Sequence, residues 1–459
     1  MVIINEPVDA LIKLCGKQKL EGFDYKKLIY IQSVMCDEGL LVYNLMTKEF
    51  VLLQGNEIKA YENADFSNSA VLYLLENWFF VPKDFDDYKH FRQINTLFEI
   101  LCDNVKNGEL TQFTIFPTTD CNARCFYCFE LACKRINMSK QTAEDVANYI
   151  IEKSCGKKVH ITWFGGEPLY NSKAIDIITQ GLIDAGVDYA CDMVSNAYLF
   201  DKETVQKAKN FWKMTKIQIT LDGTEEVYNK CKAYIYKNIP SPFVRVMDNI
   251  ELLLENDIYV AIRLNIDLHN YSDLENLLSM LLKRFGKYKK LYIYLALLYD
   301  FEKKRTYETK KLLIDKVEKM NELIKKNTYN CHVGLNQFRT TKHCIADNNS
   351  AVTILPDGKL GKCEHFTDDN YIGSIYSDKL NNSLINDFKI TSEIGTKCHK
   401  CSLQPKCYPL KKCVNATVEC EDFDREYKIR DLHKRMLSEF ELYKMKDTQL
   451  EDNSRDICS

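Results

Sequence analysis

Cys121, Cys125 and Cys128 follow an apolar run and stand in the stretch Thr118-Thr-Asp-Cys121-Asn-Ala-Arg-Cys125-Phe-Tyr-Cys128. At the spacing C-x3-C-x2-C they offer three thiolates to a cubane [4Fe–4S] cluster. Such clusters ordinarily take four cysteines, so a compact set of three leaves one iron open to a small molecule. Short cysteine spacing also suits a zinc site or buried packing, and the choice rests on what lies downstream. There Val159-His-Ile-Thr-Trp-Phe164 reads as an apolar strand that runs into Gly165-Gly166-Glu167-Pro168.

Further strands follow in Cys191-Asp-Met-Val-Ser195-Asn196, Lys216-Ile-Gln-Ile-Thr-Leu-Asp222-Gly223, Ala261-Ile-Arg263-Leu-Asn265 and Leu291-Tyr-Ile-Tyr-Leu-Ala-Leu297. Segments of helical period separate them: Ser139 to Lys153, Ser172 to Ala185, Asp201 to Trp212, Phe243 to Glu255 and Ser272 to Phe285. This alternation predicts an α/β fold, a parallel sheet with helices outside it. In closed barrels functional groups gather at the carboxyl ends of the strands. The cysteine loop, the Gly-Gly-Glu turn, Ser195 and Arg263 all fall at or near such ends, so one mouth is expected to collect them.

Motifs of these types in this order resemble the radical S-adenosylmethionine superfamily, from the cysteine loop to near the end of the chain. The resemblance implies a partial (β/α)6 barrel over residues 102–330. It implies that the amino and carboxylate groups of S-adenosylmethionine chelate the open iron, and that reduction cleaves the sulfonium to a 5′-deoxyadenosyl radical. Gly165 and Gly166 would let the backbone approach the ligand, and Glu167 would accept from the methionine ammonium. Ser195 and Asn196 would contact ribose and carboxylate, Arg263 would pair with the methionine carboxylate, and Leu297 would lie against adenine. Tyr127 completes the cofactor-binding set. No catalytic acid or base can be assigned.

A second cysteine array begins at Cys344, with Cys363 after it and then Cys398-x2-Cys401-x5-Cys407-x5-Cys413-x6-Cys420. Val352 to Glu364, followed by Ile372-Gly373, reads as a hairpin turning on Asp357-Gly358. This region, 331–446, resembles the SPASM domain, which carries auxiliary iron–sulfur clusters in peptide-modifying radical enzymes. Carried over, Cys344, Cys363 and Cys413 would hold auxiliary cluster I, and Cys398, Cys401, Cys407 and Cys420 would hold auxiliary cluster II, for three [4Fe–4S] clusters in all. The spacing around Cys413 and Cys420 departs from the family's, so these two are interchangeable in the assignment. Cluster I is one ligand short unless Cys331 supplies it, and an iron without a protein thiolate could take a substrate cysteine. A zinc ribbon is the alternative for Cys398 to Cys420.

Residues 1–101 precede the barrel. Lys27 to Ile31 reads as a strand, Leu40 to Asn44 and Glu49 to Leu53 as a hairpin, and Ser67 to Glu76 and Asp86 to Cys102 as helices. The arrangement resembles the small winged-helix-like α+β leader-binding domain of ribosomal-peptide maturases, in which a leader adds as a strand to a sheet edge. The expected partners are a precursor peptide, leader and core, and an external electron donor such as flavodoxin or ferredoxin.

The chain has 459 residues, 46% of them hydrophobic, with 19 cysteines and a formal net charge of −3. That length supports two or three domains. No basic start or apolar leader opens it and cysteines are frequent, so a reducing cytoplasm is expected. The charge gives no reason to expect nucleic acid, and no apolar run reaches membrane-spanning length. Residues 447–459 read as a mobile polar tail, and the mixed charges from Glu302 to Lys326 as a solvated face. The expected function is peptide maturation, with a cysteine thioether favoured over a carbon–carbon crosslink. An anaerobic sulfatase maturase forming formylglycine is the alternative enzyme, and an electron-transfer or redox-sensing protein the alternative non-enzyme.

Overall fold

The computed structural model describes residues 1–18, 24–102, 109–237, 240–298, 306–328, 335, 344–365, 370–389, 398–407, 412–413 and 422–455. The chain divides into two compact units, one of Met1–Asn104, His332–His343 and Ile390–Ser459, the other of Val105–Cys331 and Cys344–Lys389.

In the first unit β1 (Val2–Asn5), β3 (Ile31–Cys36), β4 (Gly39–Asn44) and β5 (Phe50–Leu53) form an antiparallel sheet in the order β1-β5-β4-β3. A two-stranded ribbon of β2 (Tyr25–Lys27) and β6 (Phe80–Pro82) stands beside it. Every residue of β4 and β5 is buried, because successive side chains serve opposite faces. Leu41, Tyr43, Phe50 and Leu52 pack with Leu432, Met436 and Phe440 of the C-terminal helix Asp422–Arg455. Leu40, Val42, Val51 and Leu53 pack with Val71, Leu74 and Leu75 of the helix Ser69–Glu76. The hairpin expected across Leu45 to Lys48 is present, with Tyr43 opposite Phe50.

The second unit holds the parallel sheet. Strands β7 (Gln112–Ile115), β8 (Val159–Trp163), β9 (Tyr189–Ser195), β10 (Met214–Leu221), β11 (Tyr259–Ile266) and β12 (Leu291–Leu297) stand side by side in chain order. The registers pair Ile115 with Trp163, Trp163 with Met193, Ser195 with Ile219, Leu221 with Leu264 and Ile266 with Leu297, which aligns the carboxyl ends. The intervening helices start where their caps dictate. Ser139 accepts from Thr142 N at the head of Lys140–Ser154, and Asp201 accepts from Thr204 N at the head of Lys202–Asn210. Ala143, Val146, Ala147 and Ile150 form the buried stripe of the first.

One feature goes beyond the reading of the sequence. The segment 331–446, taken as one C-terminal domain, is shared between the units. Strand β13 (Ala351–Ile354) lies parallel to β7 on its outer edge and turns into the antiparallel β14 (Lys359–Gly361). It satisfies an edge that would otherwise present unpaired N–H and C=O groups. The charged stretch before Lys326 is the helix Tyr307–Asn327, whose charged side chains are exposed or half-buried as expected and whose other side buries Leu313, Ile314, Val317, Met320 and Ile324. Among the described residues no helix is long and apolar enough to cross a membrane.

Candidate active site

The loop bearing Cys121, Cys125 and Cys128 leaves the carboxyl end of β7 and closes on a 3-10 turn at Phe129–Ala132. The Gly-Gly-Glu turn leaves the neighbouring β8 and clamps this loop. Gly166 N donates to Thr118 O at 3.2 Å and Glu167 N to Asp120 O at 2.9 Å. The two glycines are needed for that clamp. Gly165 has φ +114°, and a Cβ there would lie 2.3 Å from Thr118 O. At Gly166 it would lie 2.1 Å from Asp120 O. The backbone at both glycines passes close against the cysteine loop.

Glu167 is fully buried. Its carboxylate accepts from Ser195 Oγ at 2.8 Å, Asn196 N at 2.8 Å and Leu169 N at 3.3 Å. Burial outweighs these bonds and pushes its pKa up to about 7. Among the described residues no cationic side chain bonds it, so three neutral donors hold the carboxylate. Asn196 Nδ2 reaches Asn122 Oδ1 at 2.7 Å and Cys121 Sγ at 3.8 Å. One side chain thus links the end of β9 to the cysteine loop.

Burial raises the thiols of Cys121 to about 12 and Cys128 to about 11, with mutual repulsion among the three cysteines adding to it. Ala123 N donates to Cys121 Sγ at 3.4 Å. Thiols so placed ionise only against positive charge, which iron supplies. Among the described residues no three His, Cys, Asp or Glu side chains converge on one ion; in a cubane each thiolate binds its own iron and the ligands stand wider apart. The donor set therefore fits a [4Fe–4S] cluster, and the Glu167 carboxylate fits the ammonium of S-adenosylmethionine.

Tyr127 turns inward. Its hydroxyl donates to the Asp222 carboxylate at 2.7 Å and accepts from Lys232 Nζ at 3.0 Å. Lys232 and Asp222 are themselves 3.0 Å apart, with side chains 4% and 1% exposed. Burial would lower the lysine, but Asp222 together with Tyr127, Cys125 and Tyr228 outweighs it and holds Lys232 well above its ordinary value. Asn265 Nδ2 donates to Asp222 Oδ1 at 3.0 Å and Asn265 Oδ1 accepts from Arg263 Nε at 2.9 Å. A polar chain therefore crosses the mouth from Tyr127 to Arg263. Lys232 O also accepts from Arg124 N of the cysteine loop at 2.7 Å. Sequence reasoning reached Tyr127 and Arg263 but missed Lys232, which lies on the helix Glu225–Lys232 after Asp222-Gly223. Leu297 ends β12, 38% exposed.

Cys363 follows β14, and His365 N donates to its Sγ at 3.4 Å. The His365 ring lies 4.2 Å from that of Phe129, next to Cys128, so the hairpin's cysteine end meets the cysteine loop. Cys344 N donates to Asp347 Oδ1 at 2.9 Å. Cys398, Cys401, Cys407 and Cys413 belong to the other unit. There Cys401 N donates to Cys398 O at 3.1 Å and Cys407 N to Leu403 O at 2.8 Å, which folds the run into a compact loop. Cys331 and Cys420 lie outside the described residues.

Residues 115–281 match the Radical SAM superfamily. The chain is 24% identical over 271 residues to the radical SAM cyclopropyl synthase TigE of Paramaledivibacter caminithermalis, covering 54% of this chain and 51% of that protein. It is 28% identical over 112 residues to an uncharacterized protein of Methanocaldococcus jannaschii, covering 24% of this chain and 37% of that one. The chain thus spans about a third to a half of the length of these curated relatives. Native anSMEcpe with bound AdoMet superposes with a TM-score of 0.53 at 16% identity, over 75% of this chain and 99% of that one. The same protein with AdoMet and the Cp18Cys peptide gives 0.52. At that identity the likeness is one of fold, and it agrees with the partial barrel built by β7 to β12. Residues 115–281 are thus similar to the radical SAM superfamily, a family that implies a [4Fe–4S] cluster and S-adenosylmethionine.

Proposed function

We propose that this chain is a radical SAM peptide maturase that installs a crosslink in a ribosomally made precursor. The observation that carries the reading is the barrel mouth, where the Glu167 carboxylate, Asn196 and Cys121 stand in one hydrogen-bonded group. When bound, the reduced cluster and S-adenosylmethionine supply a 5′-deoxyadenosyl radical, which takes a hydrogen atom from a substrate carbon. Glu167 holds the methionine ammonium, with Ser195 and Asn196 fixing its orientation. Arg263 offers a cation to the methionine carboxylate. Tyr127, Asp222 and Lys232 hold the cysteine loop from behind and keep water out of it.

The peptide substrate is supported by the N-terminal unit, a separate antiparallel sheet whose described edges are β1 and β3. A leader adding to β3 would gain main-chain hydrogen bonds. The structural neighbour with a bound peptide supports the same class of substrate. Thioether formation takes a hydrogen atom from carbon, a proton from the thiol and one further electron. The C-terminal cysteines are the chain's candidates for holding the group that accepts that electron. Carbon–carbon bond formation is the second reading, favoured by the similarity to a cyclopropyl synthase.

The test is mass spectrometry of precursors encoded beside this gene, incubated anaerobically with reduced, reconstituted enzyme. Loss of two hydrogens from a core peptide only when its leader is present supports the reading. Absence of S-adenosylmethionine cleavage, or oxidation of a leaderless sulfatase-derived peptide, overturns it. A Cys121→Ala/Cys125→Ala/Cys128→Ala variant should lose about four irons and all cleavage.

A further inference from the structure

The C-x2-C-x5-C loop sits in the first unit's core, and that unit contains buried polar atoms without a hydrogen-bond partner among the described residues. Leu403 is buried there, and Cys401 and Cys407 pack against it, beside Tyr30, Tyr43, Leu45 and Met46. Tyr30 is fully buried and its hydroxyl has no hydrogen-bond partner. Asp87, Tyr88 and Asp86 bear on that hydroxyl, and Cys401 does so after them. Lys48 stands on the turn between β4 and β5 with its Nζ shielded from solvent and equally unpartnered. Its backbone is left-handed, φ +66°, a conformation that lysine adopts at a cost. Burial and then the nearby Lys406 ammonium lower its pKa to about 7. Lys406 precedes Cys407 and pairs with Asp431 at 3.3 Å. From the C-terminal helix, Lys428 Nζ reaches Cys407 Sγ at 3.5 Å.

Two buried donors without acceptors among the described residues, Lys406 within the cysteine loop and Lys428 on its Cys407 share one need, a compact anion. Leaving such groups unpaired is expensive. A [4Fe–4S] cluster on thiolates carries net negative charge in its usual states, and its sulfurs accept hydrogen bonds.

We propose that Lys48 and Tyr30 of the N-terminal sheet, with Lys406 and Lys428, line and charge-compensate an iron–sulfur cluster held by Cys398, Cys401 and Cys407. This rests on the reading of those cysteines as cluster ligands. It makes the cluster part of the core of the leader-binding-like sheet. Lys48 and Tyr30 are positioning residues. Their effect is on the cluster's potential, because reduction adds negative charge that a nearby cation and hydroxyl stabilise.

The experiment is a potentiometric electron paramagnetic resonance titration, with iron counts, of the reconstituted full chain in the Cys121→Ala/Cys125→Ala/Cys128→Ala background. Lys48→Met should shift one auxiliary signal to lower potential, Tyr30→Phe should shift it less in the same direction, and Lys48→Arg should restore it. In cluster-free protein Lys48→Met should raise the melting temperature, since it removes an unpaired buried amine. Loss of about four irons from Lys48→Met, with its circular dichroism unchanged, also supports the assignment. Unchanged potentials and iron in both Lys48→Met and Tyr30→Phe overturn it. A Cys401→Ala/Cys407→Ala variant that keeps all its iron overturns instead the reading of those cysteines as ligands.

Discussion

Replacing Lys232 by methionine should be among the most damaging single changes in the barrel. The ammonium and the Asp222 carboxylate are 3.0 Å apart, with side chains only 4% and 1% exposed. The Lys232→Met variant keeps the volume but leaves a buried carboxylate with, among the described residues, only the Tyr127 hydroxyl and Asn265 amide as donors. Breaking a buried pair from one side costs about 3–5 kcal/mol, whereas replacing both charges can be nearly neutral. For a unit of this size about 4 kcal/mol corresponds to a fall in melting temperature of roughly 8–16 °C. The Asp222→Asn/Lys232→Met double variant should recover most of this, a coupling of about 2–3 kcal/mol. Urea and thermal unfolding of cluster-free protein, followed by circular dichroism, measures both. Because the Lys232 ammonium also bonds the Tyr127 hydroxyl at 3.0 Å, the single variant should further lose iron from the radical site. A single variant within about 1 kcal/mol of wild type, or a double variant no more stable than the single, would refute the reasoning.

Gly166→Ala places a Cβ against the Asp120 carbonyl, a backbone atom that cannot rotate away. We expect about 1–3 kcal/mol of destabilisation and loss of about four irons, and iron analysis showing full occupancy would contradict the clamp. Glu167 gives a pH signature. Its pKa rises from 4.5 to about 7 on folding, with burial as the first cause. A raised carboxyl favours the folded state fully below its unfolded pKa, and that contribution is lost as pH rises through the folded value. Roughly 3 kcal/mol should therefore disappear between about pH 4.5 and 7 in cluster-free protein. Glu167→Gln should lack this term, and parallel melting-temperature profiles for the two proteins would exclude it.

The parts of this fold that were legible in the sequence are those whose physics is local. Val159 to Trp163 alternates buried and half-buried residues, and Ser139 and Asp201 announce their helices by accepting from the third residue on. Chain-order pairing of β7 to β12 then brings Cys121, Glu167, Ser195 and Asn196 together. The parts that were not legible depend on partners far away in the chain. Asp222 is a strand-end acid until Lys232 and Tyr127 arrive from a helix and a loop. That Gly165 and Gly166 also lie against Thr118 O and Asp120 O, where a Cβ would not fit, depends on a loop from the preceding strand. Tyr307–Asn327 is dense in lysine and glutamate, so its charges mask an apolar stripe that buries Leu313, Val317 and Met320.

The same distance effect governs the N-terminal unit. Its sheet has two apolar faces, and the helix Ser69–Glu76 can cover only one of them. Leu41, Tyr43, Phe50 and Leu52 on the other face need a second apolar surface, which Leu432, Met436 and Phe440 supply from the far end of the chain. At roughly 25 cal/mol per Å2 of apolar area, such burial is too favourable to leave exposed. The return of the C-terminal helix brings the C-x2-C-x5-C loop into the same core, which explains why cysteines read as a separate C-terminal domain fold with the first hundred residues.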